Sequence, residues 1–340
     1  MELSEVQKNV VNAPDGKILV ISSAASGKTR TMTEKVRKLL QDGVSPKQIA
    51  VITFTNMAAA ELRQRLGDDY KTGLFVGTIH ALANYMLLSH GIKTGKVLDE
   101  EKFDDLFKMV SDNPQCIEHY KWILLDEAQD TDALQFKFIL EMIKPECFAF
   151  FGDPKQSIYQ FRGARPDLLL RLAHMPGVKV FDLYENYRNG INILNYAKRL
   201  IRPTGLEDAS VSRYHRNGAV TELVYNSEFI INKIMTIDEY RDWAILTRTN
   251  REISDMSYIL SRKGIPFETF KQGDLTREDL IEKMQADTVK ILTVHSAKGL
   301  EWNNVIVMGM RFKPADERNV CYVAATRARN NLFWITKKHY

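Results

Sequence analysis

One segment of the chain joins an apolar run to small residues and a Gly-Lys-Thr ending, and it reads Ile18-Leu19-Val20-Ile21-Ser22-Ser23-Ala24-Ala25-Ser26-Gly27-Lys28-Thr29. A run with helical periodicity follows over residues 30–40. A strand, a small-residue loop and a helix start in this order are typical of a phosphate-binding loop, in which backbone N–H groups and the helix N-terminus face the phosphates. We therefore expect Lys28 to neutralise the β- and γ-phosphates of a nucleotide and Thr29 to hold Mg²⁺.

The loop departs from the strict phosphate-binding pattern, which places glycine where Ser22 stands,. The departure does not exclude nucleotide binding, because the side chains in the loop remain small. An ordinary turn between a strand and a helix stays open as the alternative interpretation of this segment.

A second acidic element lies where another predicted strand ends. The apolar run over residues 122–125 leads directly into Asp126 and Glu127. Open α/β sheets bind ligands at the carboxyl ends of their strands, so Asp126 is expected to coordinate Mg²⁺ and Glu127 to orient or deprotonate the attacking water. The alternative is a solvated acidic helix start with Asp as its cap. That alternative weakens because a Lys-Thr loop follows another strand of the same domain.

Short apolar runs alternate with helical patterns along the chain, which predicts parallel sheets with crossover helices. Strands that are buried on both faces are apolar throughout. The first predicted set of strands covers residues 18–21, 49–53, 123–125 and 148–151. The second set covers residues 178–183, 223–225, 243–247, 289–294, 305–308 and 332–336. The predicted fold class is α/β, with two doubly wound lobes.

The chain is predicted to divide into two domains, residues 1–185 and 186–340. The division is placed near residues 182–192, where one strand ends and a helical pattern begins. Polar, less patterned stretches lie at 89–120, 202–220 and 273–286.

Composition permits many functions. With 340 residues and 44% hydrophobic content, the chain is long enough for two domains that each bury a core,. The formal net charge of +4 allows an anionic partner without demanding one,. Three cysteines without C-x-x-C spacing favour neither a structural metal nor a disulfide,. The motifs must therefore decide the function.

The sequence contains no recognisable targeting or membrane-spanning pattern. Its first residues include no basic stretch followed by an apolar run, and nowhere do about 18 apolar residues occur in succession,. We therefore expect a cytoplasmic protein that does not associate with membranes.

The order of motifs resembles that of superfamily 1 helicases of the UvrD/Rep group. In the first half, the phosphate loop and Asp126-Glu127 are joined by Thr-Phe-Thr-Asn at 53–56, Gly-Thr-Ile-His at 77–80 and Tyr-Gln-Phe-Arg-Gly at 159–163. The second half adds Glu-Asn-Tyr-Arg at 185–188, Thr-Val-His-Ser-Ala-Lys-Gly-Leu-Glu-Trp at 293–302 and Val-Ala-Ala-Thr-Arg-Ala at 323–328. The resemblance implies two RecA-like P-loop NTPase domains, with parallel sheets flanked by helices and an ATP site in the cleft between them.

The resemblance also assigns roles to individual residues. Gln7 reads adenine, Tyr187 stacks on it, and Glu301 holds the ribose. The nucleotide site as a whole comprises Gln7, Ser23, Ala24, Ala25, Ser26, Gly27, Lys28, Thr29, Arg30, Tyr187 and Glu301. Hydrolysis is assigned to Lys28, Glu127, Gln156, Arg188 and Arg327, and Mg²⁺ binding to Thr29 and Asp126. An arginine that contacts the γ-phosphate is worth about 10³ to 10⁵ in rate in P-loop enzymes, and Arg188 and Arg327 are the two candidates.

Contact with single-stranded DNA is assigned to aromatic, polar and basic side chains, namely Phe54, Thr55, Asn56, His80, Tyr159, Phe161, Arg162 and His295. Aromatic rings stack on bases, and positive or polar groups follow the backbone. Outside this motif context, Phe54, Tyr159 and Phe161 would be assigned to a hydrophobic core, and Tyr159 could instead support its loop.

The sequence departs from the family in its phosphate loop and in the intervals between motifs. Ser23 and Ala25 occupy loop positions where the group commonly has glycines. The family usually inserts helical subdomains between the segments that correspond to His80 and Asp126, and again before residue 289. Both intervals are short here, and we expect residues 89–120 and 251–286 to be reduced insertions.

The resemblance implies an ATP-dependent translocase and helicase on single-stranded DNA and on junctions of single and double strands, with 3′ to 5′ polarity. One alternative is a nucleotide-switched DNA-binding module or loader that needs a replication, repair or recombination partner to unwind. A P-loop ATPase unrelated to nucleic acid is a third hypothesis, but it leaves the motifs at 53–56 and 159–163 unexplained.

Overall fold

The computed structural model describes residues 2–224, 232, 239–269, 277–312 and 316–336. Within these ranges the chain forms two compact units. The first contains residues 1–22 and 27–183, and the second contains residues 23–26 and 184–340. The domain bounds 1–185 and 186–340 remain a prediction.

The first unit is built on a six-stranded parallel sheet in the order β3-β2-β4-β5-β1-β6. Its strands are β1 (Lys17–Ser22), β2 (Ile49–Ile52), β3 (Phe75–Gly77), β4 (Trp122–Leu125), β5 (Cys147–Gly152) and β6 (Val178–Leu183). Its α-helices are α1 (Glu5–Val11), α2 (Lys28–Gln41), α3 (Asn56–Leu66), α4 (Ile79–Ser89), α5 (Gly95–Asp99), α6 (Asp105–Asp112), α7 (Ala133–Lys137) and α8 (Pro166–Leu172).

Alternate residues of the central strands enter two cores on opposite faces of this sheet. In β1, Leu19 packs into one core, whereas Ile18 and Val20 pack into the other. Both faces are covered, so β2, β4 and β5 are buried at every position. The continuous apolar runs that predicted these strands thus have a direct packing cause.

One strand was assigned to the wrong set from sequence. Residues 178–183 form β6, which pairs in parallel with β1 at the edge of the first sheet, and do not belong with the strands of the second half. This strand is largely solvent-accessible, because an edge strand has one neighbour. Strand β3 was not predicted, because its three residues are too few to show a pattern.

Residues 89–120 do not form a separate subdomain. The segment contains α5 and α6, and Leu106, Phe107 and Val110 of α6 are buried against α4 in a core of the first unit. Part of this segment therefore belongs to a core of the first unit, and its description as a reduced insertion remains a prediction.

The second unit contains, within its described residues, a six-stranded parallel sheet in the order β11-β12-β10-β13-β14-β9. The strands are β9 (Ala219–Val224), β10 (Trp243–Thr247), β11 (Phe267–Thr269), β12 (Val289–Thr293), β13 (Trp302–Met308) and β14 (Ala328–Thr336), and a separate short pair is formed by β7 (Glu185–Asn186) and β8 (Val211–Ser212). The helices described are α9 (Ile191–Ile201), α10 (Asn250–Arg262), α11 (Arg277–Gln285) and α12 (Asp316–Ala325).

The second sheet confirms the other strands predicted for this half, with different bounds. The strand predicted at 223–225 begins earlier, at Ala219, and Tyr225 lies outside the described residues. Of the predicted insertion 251–286, residues 270–276 also lie outside them. Two parallel sheets flanked by helices confirm the predicted α/β fold of two RecA-like domains. No helix among the described residues has the length and apolar content needed to cross a membrane.

Candidate functional site

The phosphate loop follows the carboxyl end of β1. Its last residue, Gly27, has φ 77° and is the N-cap of α2. A Cβ at Gly27 would lie 2.6 Å from Gln7 Nε2, so both the backbone and the neighbouring side chain require glycine. Gln7 is itself fixed, because the Ser4 N–H donates to its Oε1 at 2.9 Å in the capping box of α1. The sequence-predicted adenine-reading residue thus lies directly against the start of α2.

The loop residues 23–26 belong to the second unit by their contacts. Ala25 has φ 55°, a left-handed conformation that favours glycine and costs an alanine about 1 to 2 kcal/mol. Hydrogen bonds hold this conformation: Asn186 Nδ2 donates to the Ala24 carbonyl at 2.9 Å, and the Tyr187 N–H donates to the Ala25 carbonyl at 3.1 Å. An alanine at this position is therefore compatible with the observed loop.

Lys28 opens α2 and lies between two carboxylates. Its Nζ is 3.1 Å from Asp126 Oδ1 and 2.6 Å from Glu127 Oε1. Burial alone would lower the pKa of Lys28, but Asp126 and Glu127 outweigh this effect and raise its pKa above the ordinary value. Lys28 is therefore held as a cation at the mouth of the loop.

Asp126 and Glu127 extend from the carboxyl end of β4 as predicted. The Asp126 carboxyl is buried, and burial raises its pKa against the influence of Lys28. Glu127 has φ 52° and precedes a short 3₁₀ turn rather than an α-helix. The alternative of a solvated helix cap does not describe a buried carboxyl in this setting.

Thr29 and Asp126 form the oxygen pair expected for a divalent cation. Thr29 Oγ1 donates to Asp126 Oδ2 at 3.3 Å. A hydroxyl and a carboxylate beside phosphates are the ligand types with which Mg²⁺ is bound in nucleotide-hydrolysing sites. The residues present therefore fit Mg²⁺.

A hydrogen-bonded chain leads from Glu127 to Gln156, and its two middle members, Gln129 and Asp153, were not predicted from sequence. Gln129 Nε2 donates to Glu127 Oε2, and the Asp153 N–H donates to Gln129 Oε1 at 2.9 Å. Gln156 Nε2 donates to Asp153 Oδ2 at 2.8 Å. Gln129 and Asp153 are fully buried. The sequence signal that could have identified these two residues is that both are polar and lie shortly after the apolar strands β4 and β5.

The sequence-predicted stacking residues come together in the first unit. The Phe54 and Tyr159 rings stack with centroids 5.2 Å apart, and the Phe161 ring lies 6.2 Å from that of Tyr159. The Arg162 guanidinium lies 5.7 Å from the Tyr159 ring and 5.6 Å from the Phe161 ring. Phe161 is 69% exposed. We call Phe54, Tyr159, Phe161 and Arg162 the aromatic platform.

Tyr159 is half-buried within the platform. Burial raises the pKa of its phenol to about 12, so the hydroxyl stays neutral near pH 7. Ser157, two residues earlier, donates its Oγ to the Gln129 carbonyl at 3.2 Å. The segment that carries the platform is thereby tied to the same Gln129 that contacts Glu127.

The other predicted DNA contacts of the first unit have local structural partners. Thr55 is the N-cap of α3, and its Oγ1 accepts from the Ala58 N–H at 3.1 Å. Asn56 is exposed at the first position of that helix. His80 Nε2 lies 3.1 Å from Asp104 Oδ1, and its ring stacks on Phe107 at 4.9 Å. His80 is therefore packed against the 89–120 segment.

In the second unit, two arginines share the carboxylate of Glu301. Arg188 Nε and Arg329 each form an ion pair with this carboxylate. Burial opposes ionisation of Glu301, but Arg188 and Arg329 outweigh it and lower the pKa of the carboxyl. Arg329 was not predicted, because nothing in its own sequence context distinguishes it from a surface arginine.

Arg327 is buried at the end of α12. Its Nε donates to the Val323 carbonyl at 3.0 Å and a terminal nitrogen to the Leu300 carbonyl at 3.2 Å. The structure thus places Arg327, one of the two arginines predicted to contact the γ-phosphate, in the turn between α12 and β14, where it donates to α12 and to the segment before β13.

The remaining predicted residues occupy loops or helix positions. Tyr187 donates its hydroxyl to Glu185 Oε2 at 2.8 Å. Arg30 is half-buried in the first turn of α2. Ser26 is buried in the phosphate loop, and His295 lies half-buried in the turn after β12.

Comparison with known families and proteins gives matches in the same order as these elements. The UvrD/REP helicase N-terminal domain matches residues 3–115 and 101–176, and the UvrD-like helicase C-terminal domain matches residues 274–339. DNA helicase II of Escherichia coli (strain K12) is 25% identical over 79% of this chain and 51% of its own length. The ATP-dependent DNA helicase Rep of the same strain is 26% identical over 78% of this chain and 55% of its own length.

A probable DNA helicase of Mycoplasma pneumoniae is 24% identical over 98% of this chain and 83% of its own length. The chain spans about half the length of the two Escherichia coli relatives. The N-terminal domain model alone matches about half of the chain, and the C-terminal model follows it in the second unit. The chain therefore belongs to the UvrD/Rep family of superfamily 1 helicases.

Proposed function

We propose that the chain hydrolyses ATP and uses this reaction to translocate on single-stranded DNA with 3′ to 5′ polarity, separating strands at junctions. The observation that carries the proposal is the position of the Lys28 ammonium between Asp126 and Glu127, with the hydrogen-bonded chain from Glu127 to Gln156.

ATP is the proposed substrate of the phosphate loop. Lys28 would neutralise the β- and γ-phosphates, and the backbone N–H groups of the loop would bind phosphate oxygens. Glu127 is the proposed base or orienting group for the attacking water, since its carboxylate lies beside Lys28,. Gln7 is proposed to recognise adenine from its buried position against Gly27.

Mg²⁺ is the proposed cofactor, and Thr29 and Asp126 would hold it. When bound, the ion neutralises charge that develops on the phosphates. The Asp126 carboxylate already accepts a hydrogen bond from Thr29, so the hydroxyl and the carboxylate that would hold the ion lie side by side. Arg188 and Arg327 are proposed to stabilise the same developing charge.

Single-stranded DNA is the proposed partner of the aromatic platform. Phe161 offers an exposed ring, and Arg162 places a cation beside it. Stacking of a base on an aromatic side chain is worth about 1 to 3 kcal/mol and is tolerant of sequence. Gln129 contacts both Glu127 and the segment that precedes Tyr159, which supports coupling between hydrolysis and DNA binding.

Polarity and strand separation are tested on one duplex with either a 3′ or a 5′ single-stranded tail. We expect ATP-dependent unwinding of the 3′-tailed substrate and little of the 5′-tailed substrate. A preference for the 5′ tail would contradict the proposed polarity. A Lys28→Ala variant serves as the control for unwinding that does not depend on hydrolysis.

The second candidate is a nucleotide-switched DNA-binding module that requires a partner to unwind. It is favoured by the 89–120 segment, which packs into the core of the first unit and leaves that interval without a separate duplex-binding subdomain. DNA-stimulated ATP hydrolysis without unwinding of either tailed substrate would select this function. A replication, repair or recombination protein is then the proposed partner.

A further inference from the structure

The phosphate loop is also held by a hydrogen bond to Asp208, in addition to those from Asn186 and Tyr187. Ser23 Oγ donates to Asp208 Oδ1 at 3.3 Å. Ser23 stands where the family commonly has glycine, so this hydrogen bond uses a hydroxyl that glycine lacks. Ser23 is buried, with 8% of its surface exposed. The loop of this chain therefore has an anchor that its departure from the family pattern creates.

The same carboxylate binds a helix of the second unit. Asp208 Oδ2 accepts a hydrogen bond from the Tyr322 hydroxyl at 2.7 Å. Tyr322 is fully buried in α12, which ends at Ala325, directly before Thr326 and Arg327. Asp208 thus contacts the phosphate loop through one oxygen and the helix that leads to Arg327 through the other.

Hydrogen bonds with the nearby backbone hold the Asp208 carboxylate in position. The Ser210 N–H donates to Asp208 Oδ1 at 3.0 Å, and Lys198 Nζ donates to the Ser210 carbonyl. A carboxylate has two oxygens that accept hydrogen bonds and none that donates, so it can serve two donors at once. Bonds to an ionised acceptor are also stronger than bonds between neutral groups.

We propose that Asp208 is a positioning residue that couples the phosphate loop at Ser23 to Arg327 through Tyr322. The inference rests on the proposed function, because the coupling matters for catalysis only where the loop binds ATP and Arg327 acts on it. Asp208 accepts hydrogen bonds from both Ser23 and Tyr322, and it is therefore the group through which the two are connected.

The test is a set of variants assayed by steady-state ATP hydrolysis of the full chain. Asp208→Ala should lower kcat about tenfold, equivalent to about 1.4 kcal/mol, and raise KM, because Ser23 and Tyr322 lose the acceptor that they share,. Asp208→Asn keeps one acceptor oxygen and should recover part of the loss. Ser210→Ala is the matched control: it keeps the backbone N–H that binds Asp208, and it should leave kcat and KM unchanged.

The decisive readout is the coupling between Ser23→Gly and Tyr322→Phe. With Asp208 present, the double variant should lose less kcat/KM than the product of the two single losses, because either change alone already breaks the bridge. In an Asp208→Ala background the two changes should have independent effects. Additive effects with Asp208 present, or coupling that persists without it, would overturn the proposal.

Two further outcomes separate this inference from the function on which it rests. A parent chain that hydrolyses ATP, combined with additive variants, refutes only the role of Asp208. A parent chain that hydrolyses no ATP refutes the proposed function and the inference with it. Urea unfolding of each variant checks that a loss of activity is not a loss of folded protein. If Asp208→Ala fails to fold, Asp208→Asn takes its place as the variant and as the background for the coupling measurement.

Discussion

The two units arrange their charged residues in opposite ways. In the first, one ammonium, that of Lys28, is shared by the carboxylates of Asp126 and Glu127. In the second, one carboxylate, that of Glu301, is shared by the guanidinium groups of Arg188 and Arg329. The first group carries excess negative charge and suits a metal cation, whereas the second carries excess positive charge and suits a phosphate oxygen.

The difference between the two units lies in the sign of the net charge that each places at its own group of charged residues. A magnesium nucleotide presents both a divalent cation and anionic phosphates. The proposed function assigns Asp126 of the first unit to the cation and Arg188 of the second unit to the phosphates. Single substitutions in the two groups should therefore have different effects, and the largest is expected at Arg188.

The two arginines that share Glu301 are expected to differ in function. Arg188→Ala should lower ATP turnover by about 10³-fold or more, the scale of an arginine that stabilises transferred phosphoryl charge. Arg329→Ala removes the other partner of the same carboxylate and should lower turnover less than tenfold. Steady-state hydrolysis at saturating ATP measures both. Equal losses would show that Arg188 acts only by holding Glu301.

Glu127→Gln tests the role of the carboxylates in the first unit. The change preserves shape but removes the base, so turnover should fall by about 10² to 10⁴, the usual contribution of general acid–base catalysis. Binding of a fluorescent ATP analogue should be retained, because Lys28 still pairs with Asp126. Turnover that stays near the parent value would assign Glu127 a structural role.

A substitution in the aromatic platform should lower the affinity for single-stranded DNA. Phe161→Ala should weaken binding of single-stranded DNA by about 5- to 150-fold, since stacking contributes about 1 to 3 kcal/mol per base. Tyr258→Ala is the matched control, because Tyr258 is 64% exposed and also has an arginine, Arg262, over its ring. Fluorescence anisotropy with labelled oligonucleotide compares the two. Equal effects would remove the platform from the DNA site.

Substitutions at Thr55 distinguish a helix-capping role from a DNA contact. Their expected effects on stability and DNA affinity are the smallest of this series. Thr55→Ala should lower the free energy of unfolding by about 1 kcal/mol, the usual cost of losing an N-cap. Thr55→Asp retains a cap for α3 but places negative charge beside the proposed DNA path. It should keep the stability of the parent and bind DNA more weakly, as measured by urea unfolding and anisotropy. Parent-like DNA affinity in Thr55→Asp would leave Thr55 only its capping role.

Sequence patterns predicted the central strands and the residues at their carboxyl ends because both follow from local chemistry. Strands buried on two faces must be apolar at every position, and a loop that binds phosphate must be small. Val178–Leu183 went to the wrong set because an edge strand carries no pattern that identifies its neighbour. The pairing of β6 with β1 is a long-range choice.

Residues that contact the predicted site residues and hold them in position were harder to predict than the site residues themselves. Gln129, Asp153 and Arg329 act through contacts with groups distant in sequence, as when Gln129 meets the Asp153 backbone. Asp208 lies in a stretch that showed no pattern, and its role depends on the simultaneous presence of Ser23 and Tyr322. Such residues become recognisable only when the fold brings their partners together.

The central claim is that nucleotide hydrolysis in this chain is coupled to single-stranded DNA. Its most direct test is steady-state ATP hydrolysis by the purified chain, with and without single-stranded DNA, in the presence of Mg²⁺. The account predicts strong stimulation by DNA that is lost in Lys28→Ala and reduced in Phe161→Ala. Hydrolysis that proceeds at the same rate with and without DNA would contradict it and would leave an ATPase unrelated to nucleic acid.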